Sequence, residues 1–583
     1  MRERNAGGRR GLLGWLLLAA IIAGWLFGAT PGRGGSGSLG APAVARADVR
    51  AHAPGRPALG PNQADVTVSG RARMKAIPHE FLGISTEYTT LPLVEQHSDT
   101  WQQLLGQLSD PSDGRLPVRI GGDSAEHVLY NPGKPIQLAP WEKAYVPSPG
   151  LLKQTATIID ENRMDVILDM NTITGNPRLM AKYWRELARQ KFPLGRGRIV
   201  GLELGNEPDI YSQQAWCGGL LKGPIEHSSV KPRSCRDLKL PKRITARSFA
   251  NTYQKYARAL YSVAPTGPLL APALAKATDH LGWIKTLLRH RTKMLQVISA
   301  HVYPYSACAK PGQAHYPTIQ KVLSENATAG MVRTIRPALK LARKAGLSLR
   351  LTEVNSVTCG GRRGVSDTFA TALWAPDALF ELLRAGVQGV HLHARVESIN
   401  RPFSFNQQGL QTRPLLYGLL LFNRMLGWGA RLVPVQMRTG SRALHLKVWV
   451  TRASATELEG TSFIPNPLNV LLINKGRRSA RITLHLPTRR RAFVERLLAR
   501  SASSTSGVTL EGQHLNHQGL WQQGNQSSYF PLQKPQILRP TRNGSYVLRV
   551  RGESAAMLTV PVAASTLAAR ACHCSGPRGF GYE

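Results

Sequence analysis

An α/β protein built as a (β/α)8 barrel with a C-terminal β-sandwich module is the fold the sequence predicts, on three observations. From about Ile77 to Phe422, short apolar runs alternate with amphipathic stretches, and the alternations number close to eight. After Trp428 the pattern changes to short strand-like runs with turn-rich connections. Two of the apolar runs end in acidic motifs, Gly205-Asn206-Glu207-Pro208 and Thr352-Glu353-Val354-Asn355-Ser356. Barrels of this class carry their chemistry at the C-terminal ends of strands.

Taken in chain order, the strand candidates are Phe81 to Ser85, Pro117 to Gly121, Val166 to Met170, Ile199 to Leu204, Leu269 to Pro272, Val297 to His301, Ser348 to Leu351 and Gly389 to Leu392. Helical periodicity marks Arg178 to Arg189, Ala246 to Val263, Thr334 to Lys344 and Asp367 to Arg384 between them. In the module, strands are expected at Ala443 to Val450, Val470 to Ile473, Ala480 to Leu486 and Ser545 to Val550, with a turn at Asn474-Lys475-Gly476. Val66 to Ser69 precedes the first barrel strand and is expected to add a strand to the same module. At 583 residues the chain exceeds what one core holds. We divide it into an N-terminal signal or anchor with linker (1–47), a segment contributing to the β-module (48–75), the barrel (76–427), the sandwich (428–565) and a tail (566–583).

Arg2, Arg4, Arg9 and Arg10 precede an uncharged run from Leu12 to Ala29, the pattern of an export signal. Ala45-Arg46-Ala47 offers a cleavage site, and an uncleaved run of this length would just span a bilayer as an anchor. A secreted or membrane-tethered protein is expected either way. Lys and Arg number 75 against 35 Asp and Glu, a formal charge of +40. Such a field concentrates anionic partners. Nucleic-acid signatures are missing, so an acidic polysaccharide or cell surface is the expected partner, with general solubility as the alternative reading. Arg489-Arg490-Arg491 reads as a solvated charge run.

Six cysteines in an exported chain invite pairing. Cys217 and Cys235 bracket a Gly/Lys/Pro-rich insertion after Glu207, and Cys572 and Cys574 lie in the tail. Cys308 and Cys359 sit at matching offsets past the sixth and seventh strand candidates, which predicts a disulfide between the two loops. Neither pair has Cys-x-x-Cys spacing or an evident His partner set, so neither a metal nor a cofactor is expected.

The two glutamates are the informative feature. Strands ending in Asn-Glu and Thr-Glu can face two carboxyls across one cavity, and at roughly 5 to 5.5 Å such a pair performs retaining glycoside hydrolysis. Gly83-Ile84-Ser85-Thr86-Glu87, Arg119-Ile120-Gly121-Gly122-Asp123-Ser124, the two glutamate motifs and Arg413-Pro414-Leu415-Leu416-Tyr417-Gly418, in this order and with a trailing β-module, resemble glycoside hydrolase family 79 over roughly Val66 to Val560. That family contains β-glucuronidases and heparanase-like endoglucuronidases.

The resemblance implies that Glu207 is the acid/base and Glu353 the nucleophile, that Asn206 bonds the sugar 2-hydroxyl, and that Tyr303 donates to the nucleophile. His301 ends the same strand as Tyr303. Glu87, Asp123 and His393 end strands and could line the sugar pocket. The resemblance further implies that Gly360 and Gly361 present backbone amides to the uronate carboxylate, with Arg362, Arg363 and Arg395 as cations nearby. The chain departs from the family pattern at Asp123, where many members carry Asn, and at His391-Leu392-His393-Ala394-Arg395. The expected activity is that of a retaining exo-β-glucuronidase. The alternatives are a related barrel glycosidase cleaving neutral β-glycosides, or a surface polysaccharide-binding protein without turnover.

Overall fold

A computed structural model describes residues 58–563 apart from 71–72, 112–113, 129, 131–148, 174–175, 213–242, 264–266, 459–461 and 524–535. The expected signal or anchor, Cys217, Cys235 and the Cys572/Cys574 tail lie outside the described residues. No helix among those described is long and apolar enough to cross a membrane.

Eight parallel strands close a barrel in sequential order. They are β1 (Leu82–Glu87), β2 (Leu116–Gly121), β3 (Met164–Met170), β4 (Arg198–Leu204), β5 (Leu269–Leu274), β6 (Leu295–Val302), β7 (Ser348–Val354) and β8 (Gly389–His393). Every strand candidate coincides with one of them. Five run further toward the C-terminal rim than expected, and in β1, β7 and β8 the added residues include polar ones, Thr86 and Glu87, Thr352 and Glu353, and His393. β7 thus contains Glu353 within it, opposite His301 of β6.

The helices obey the 3.6-residue period. In Ala246–Tyr261, Phe249, Ala250, Tyr253, Tyr256, Ala257 and Leu260 face inward, and Thr245 with Ser248 closes a capping box at its start. Pro177–Ala188 begins with proline in its first turn, and the Asn176 side chain accepts from the Arg178 amide. Ala329–Lys344 starts five residues earlier than its periodicity suggests and carries Pro337 inside. Phe369–Ala385 is buried on nearly every side, since it lies between the barrel and the module.

The module is a sandwich of two sheets. Gln63–Val68 lies inside the four-stranded sheet, antiparallel to Val435–Thr439 and parallel to Ala480–His485, so the expected N-terminal contribution is present. Leu446–Arg452, Pro467–Asn474, Ser554–Pro561 and Ala492–Leu498 run side by side in the larger sheet. Val66, Val68, Val450, Val470, Ile482, Leu548 and Leu558 fill the core between the sheets.

Barrel and module share charged groups that burial makes expensive to separate. Asp377 accepts from Trp449 Nε1 at 2.9 Å and from Lys475 Nζ at 2.6 Å, while Lys447 Nζ donates to Glu381 at 2.9 Å. Lys475 was expected only as a turn residue; its ammonium is buried against the barrel helix.

Past β6 and β7, Tyr305–Ser306 pairs in parallel with Val357–Thr358. Cys308 and Cys359 form a disulfide just beyond, with Cα atoms 5.9 Å apart. It closes a loop 51 residues in sequence separation, which chain entropy values at about 4 kcal/mol. Non-reducing peptide mapping should recover the Cys308 and Cys359 peptides linked. The double variant C308S/C359S should lose up to about 4 kcal/mol of stability in denaturant titration. Two free thiols in the native protein would contradict the bridge.

Candidate active site

The C-terminal rim surrounds a cavity of about 840 Å³. Glu87, Asp123, Asn206, Glu207, Tyr303, Glu353, Gly360, Gly361 and His393, every substrate-pocket or catalytic candidate, are among its lining residues. Of the three cationic candidates only Arg395 lines it; Arg362 instead stacks over the Tyr316 ring at 4.6 Å. Glu397 also lines the cavity, and sequence reasoning passed over it.

Beneath the cavity lies Arg119, the inward residue of β2 between outward Val118 and Ile120, with 0% of its surface exposed. Its Nε donates to Glu203 at 2.5 Å, Nη2 to Asp169 at 2.8 Å and to Asn206 Oδ1 at 3.0 Å, and Nη1 to Glu353 at 2.7 Å and Ser85 at 3.3 Å. One guanidinium therefore binds the ends of β1, β3, β4 and β7. In the sequence Arg119 stands out only as part of the Arg119-Ile120-Gly121-Gly122 motif. A charged residue at an inward position of a parallel barrel strand is the signal that could have singled it out, since burial demands partners there.

Glu353 is held on both oxygens. Arg119 donates to Oε1, and Tyr303 donates its hydroxyl to Oε2 at 2.9 Å. His301 Nδ1 and His393 Nδ1 stand 3.6 and 3.7 Å from Oε2. Burial opposes the charge, but His393, His301, Arg119 and the Tyr303 hydroxyl together outweigh it and hold the carboxyl well below the usual carboxylate range. Burial, with Glu353 and Glu207 nearby, pushes the Tyr303 phenol up, so it remains a donor.

Glu207 follows Asn206 at the turn after β4, with φ at 45°, an uncommon value for a non-glycine residue and one associated with functional sites. Its amide donates to Ala273 O at 3.1 Å, and Asp209 anchors the next residues by accepting from the Ala275 and Lys276 amides. The Glu207 carboxyl meets His301 Nδ1 at 2.9 Å and is more open to the cavity than Glu353.

One atom each of Glu207, His301 and Glu353 lies within 4.8 Å of the others, a spacing that could ligate a metal ion. The histidine argues for a proton instead. Burial lowers its pKa, yet Glu353 and the hydrogen-bonded Glu207 raise it further, so Nδ1 serves as a donor between the two carboxyls.

The glycines of Arg119-Ile-Gly-Gly are explained by crowding at the end of β2. Gly122 has φ at 76°, and a Cβ there would fall 2.5 Å from Glu87 Oε1. Glu87 in turn accepts from the Ser124 amide at 2.8 Å and hydroxyl at 2.6 Å. Asp123 is left facing the cavity, its side chain 71% exposed, and takes hydrogen bonds from Arg395 at 3.1 Å and Asn206 Nδ2 at 3.4 Å. Across the cavity Gly361, with φ at 84°, has Asn400 where a Cβ would lie 2.8 Å away. Glycine is required there by space as well as by backbone angle.

No family model matches the chain. It is 22% identical over 491 residues to a β-glucuronidase of Aspergillus niger, covering 76% of this chain and 83% of the relative. With a β-glucuronidase of Neurospora crassa it shares 22% identity over 384 residues, covering 61% and 65%. Among solved structures, a 4-O-α-L-rhamnosyl-β-D-glucuronidase from Fusarium oxysporum superposes with a TM-score of 0.60 at 16% identity, over 85% of this chain and 100% of that one. A family 51 arabinofuranosidase from Xanthomonas axonopodis gives 0.57 at 13% identity, over 85% and 99%. With the barrel, the sandwich and the facing glutamates already described, these likenesses make the chain a glycoside hydrolase similar to family 79.

Proposed function

We propose that the protein is a retaining exo-β-glucuronidase. The observation that carries this reading is the pairing of two unequal carboxyls whose facing atoms lie within 4.8 Å, near the separation that double displacement needs. Glu353, kept ionised by Arg119 and two histidines, attacks the anomeric carbon. Glu207 protonates the departing oxygen, then removes a proton from the water that hydrolyses the glycosyl-enzyme. Tyr303 fixes the nucleophile, and Asn206, itself held by Arg119, faces the sugar 2-hydroxyl. The β-glucuronidase relatives support the uronide specificity.

The charge of the cavity bears on that specificity. Five carboxyl groups line it, from Glu87, Asp123, Glu207, Glu353 and Glu397, against the guanidinium of Arg395 and the imidazole of His393. A uronate entering this field needs a positive partner. Arg395, bonded to Asp123 and Glu397 at the rim, can exchange Asp123 for the substrate carboxylate beside the Gly360 amide, whereas the Gly361 amide, expected as a second donor, is already given to Thr358 O at 3.3 Å. Outside the cavity the surplus of Lys and Arg suits capture of an acidic glycan beyond the cell membrane, consistent with the expected export signal.

E353A should lower kcat by roughly 10^4-fold or more, and azide should restore turnover with inverted product. E207A should cost about 10^2- to 10^4-fold on substrates with poor leaving groups and much less on activated ones. Near-native activity of both variants on every glycoside tried would defeat the assignment. D123N should lower KM for uronides by about fivefold, the scale of one screened charge interaction of about 1 kcal/mol, and leave neutral glycosides unchanged. If KM moves equally for both classes, Asp123 has no part in reading the acid. On an acidic polysaccharide kcat/KM should fall steeply as salt passes about 0.1 M, whereas a small glucuronide should respond weakly; equal responses would count against polymer capture.

A further inference from the structure

Glu126 belongs to the turn Gly122–His127 after β2 and is 4% exposed. It does not line the cavity, and nothing said so far of the reaction uses it. Its carboxylate nevertheless reaches two other rim loops. Oε1 accepts from the Asn206 amide at 3.0 Å and the Thr172 hydroxyl at 3.1 Å. Oε2 accepts from the amides of Thr172 and Ile173, both at 2.9 Å. One side chain thus fastens the loop after β3 to the turn that carries Asn206 and Glu207.

That turn needs fastening. Glu207 has a backbone angle that an L-residue adopts only when its surroundings impose it. Arg119 holds Asn206 by its side chain from the barrel interior, and Glu126 holds the same residue by its amide. We infer that Glu126 is a positioning residue for the acid/base: it sets the approach of Glu207 to the glycosidic oxygen without touching substrate. Burial raises its pKa to about 7 even though the amides of Asn206, Ile173 and Thr172 favour the anion.

The inference rests on Glu207 being the acid/base, and a glutamine replacement separates the two ideas. Gln has one acceptor oxygen. Turned to the Thr172 and Ile173 amides, it presents its NH2 to the Asn206 amide, so the Glu207 turn loses its bond while the fold keeps most of the network. kcat/KM, which reports glycosylation alone, should be measured for E126Q and E207A over aryl glycosides of rising leaving-group pKa, together with Tm.

We expect E126Q to lose about 10- to 100-fold on the poorest leaving groups, the cost of misplacing a catalytic group by about 1 Å, and less than threefold on the dinitrophenyl glycoside, with KM little changed. A steep E207A series with an E126Q series that falls equally for all leaving groups would show a structural role only and overturn the inference. A flat E207A series would overturn the acid/base reading, and the inference with it. Should E126Q fail to fold, T172V removes the hydroxyl donor to the same oxygen and must steepen the series in the same direction; an unchanged slope would overturn the inference equally.

Discussion

A guanidinium with no exposed surface must be neutralised where it stands, because an isolated buried charge costs many kcal/mol. Arg119 meets that demand with Glu203, Asp169 and Glu353, and in doing so dictates where three strands place their acids. The dependence is mutual. Burial and the neighbouring Glu203 push the Asp169 carboxyl well above the usual carboxylate range in spite of Arg119, and the acids around the guanidinium let His301 and His393 take up protons more readily than they would in water. Burial works against that uptake, and Glu353 more than compensates. The ionised Glu353, the raised affinity of the two histidines for a proton and the orientation of Asn206 are therefore parts of one charge balance.

The fold was legible in the sequence because a parallel barrel strand is apolar on its outward face and bounded by turns, and each of the eight left that trace. The last residues of the strands were less legible. At Glu353 the chain stays in the ladder while its side chain turns inward to polar partners, so hydrophobic periodicity stops at Leu351 although the strand goes on to Val354. Within the site, residues in short distinctive motifs could be read: Asn206 and Glu207, Glu353, Tyr303, and the glycines after Cys359. Arg119 left one trace, a charge at an inward position of an apolar strand, but Glu126 could not be separated from ordinary charged residues, since what distinguishes it is the set of partners that tertiary structure brings from distant loops. Arg362 is the converse case. Its proximity in sequence to the glycines suggested a pocket cation, and the fold spends it on an aromatic face instead.

Electrostatics divides the molecule into zones of opposite sign. The cavity wall is acidic, whereas the module from Arg431 onward to Ala563 carries 19 Lys and Arg against 5 Asp and Glu. Few of those cations meet carboxylates among the described residues, and Arg489, Arg490 and Arg491 stand in solvent. The surface can collect anions over a distance of the order of the Debye length, about 10 Å at 0.1 M salt, while the pocket selects among them at contact range. On the proposed function, capture and discrimination fall to different parts of the chain.

The strand Gln63–Val68 has a further consequence, for ancestry. It pairs on both edges within the four-stranded sheet, and its partners Val435–Thr439 and Ala480–His485 follow only after the whole barrel. No single cut in the gene separates one complete domain from the other: a fragment ending after the barrel keeps an orphaned strand, and one beginning there lacks a sheet member. Recombination that exchanges domains at one junction is closed to this architecture; only an exchange with two junctions, one after Val68 and one before Val435, would part barrel from module.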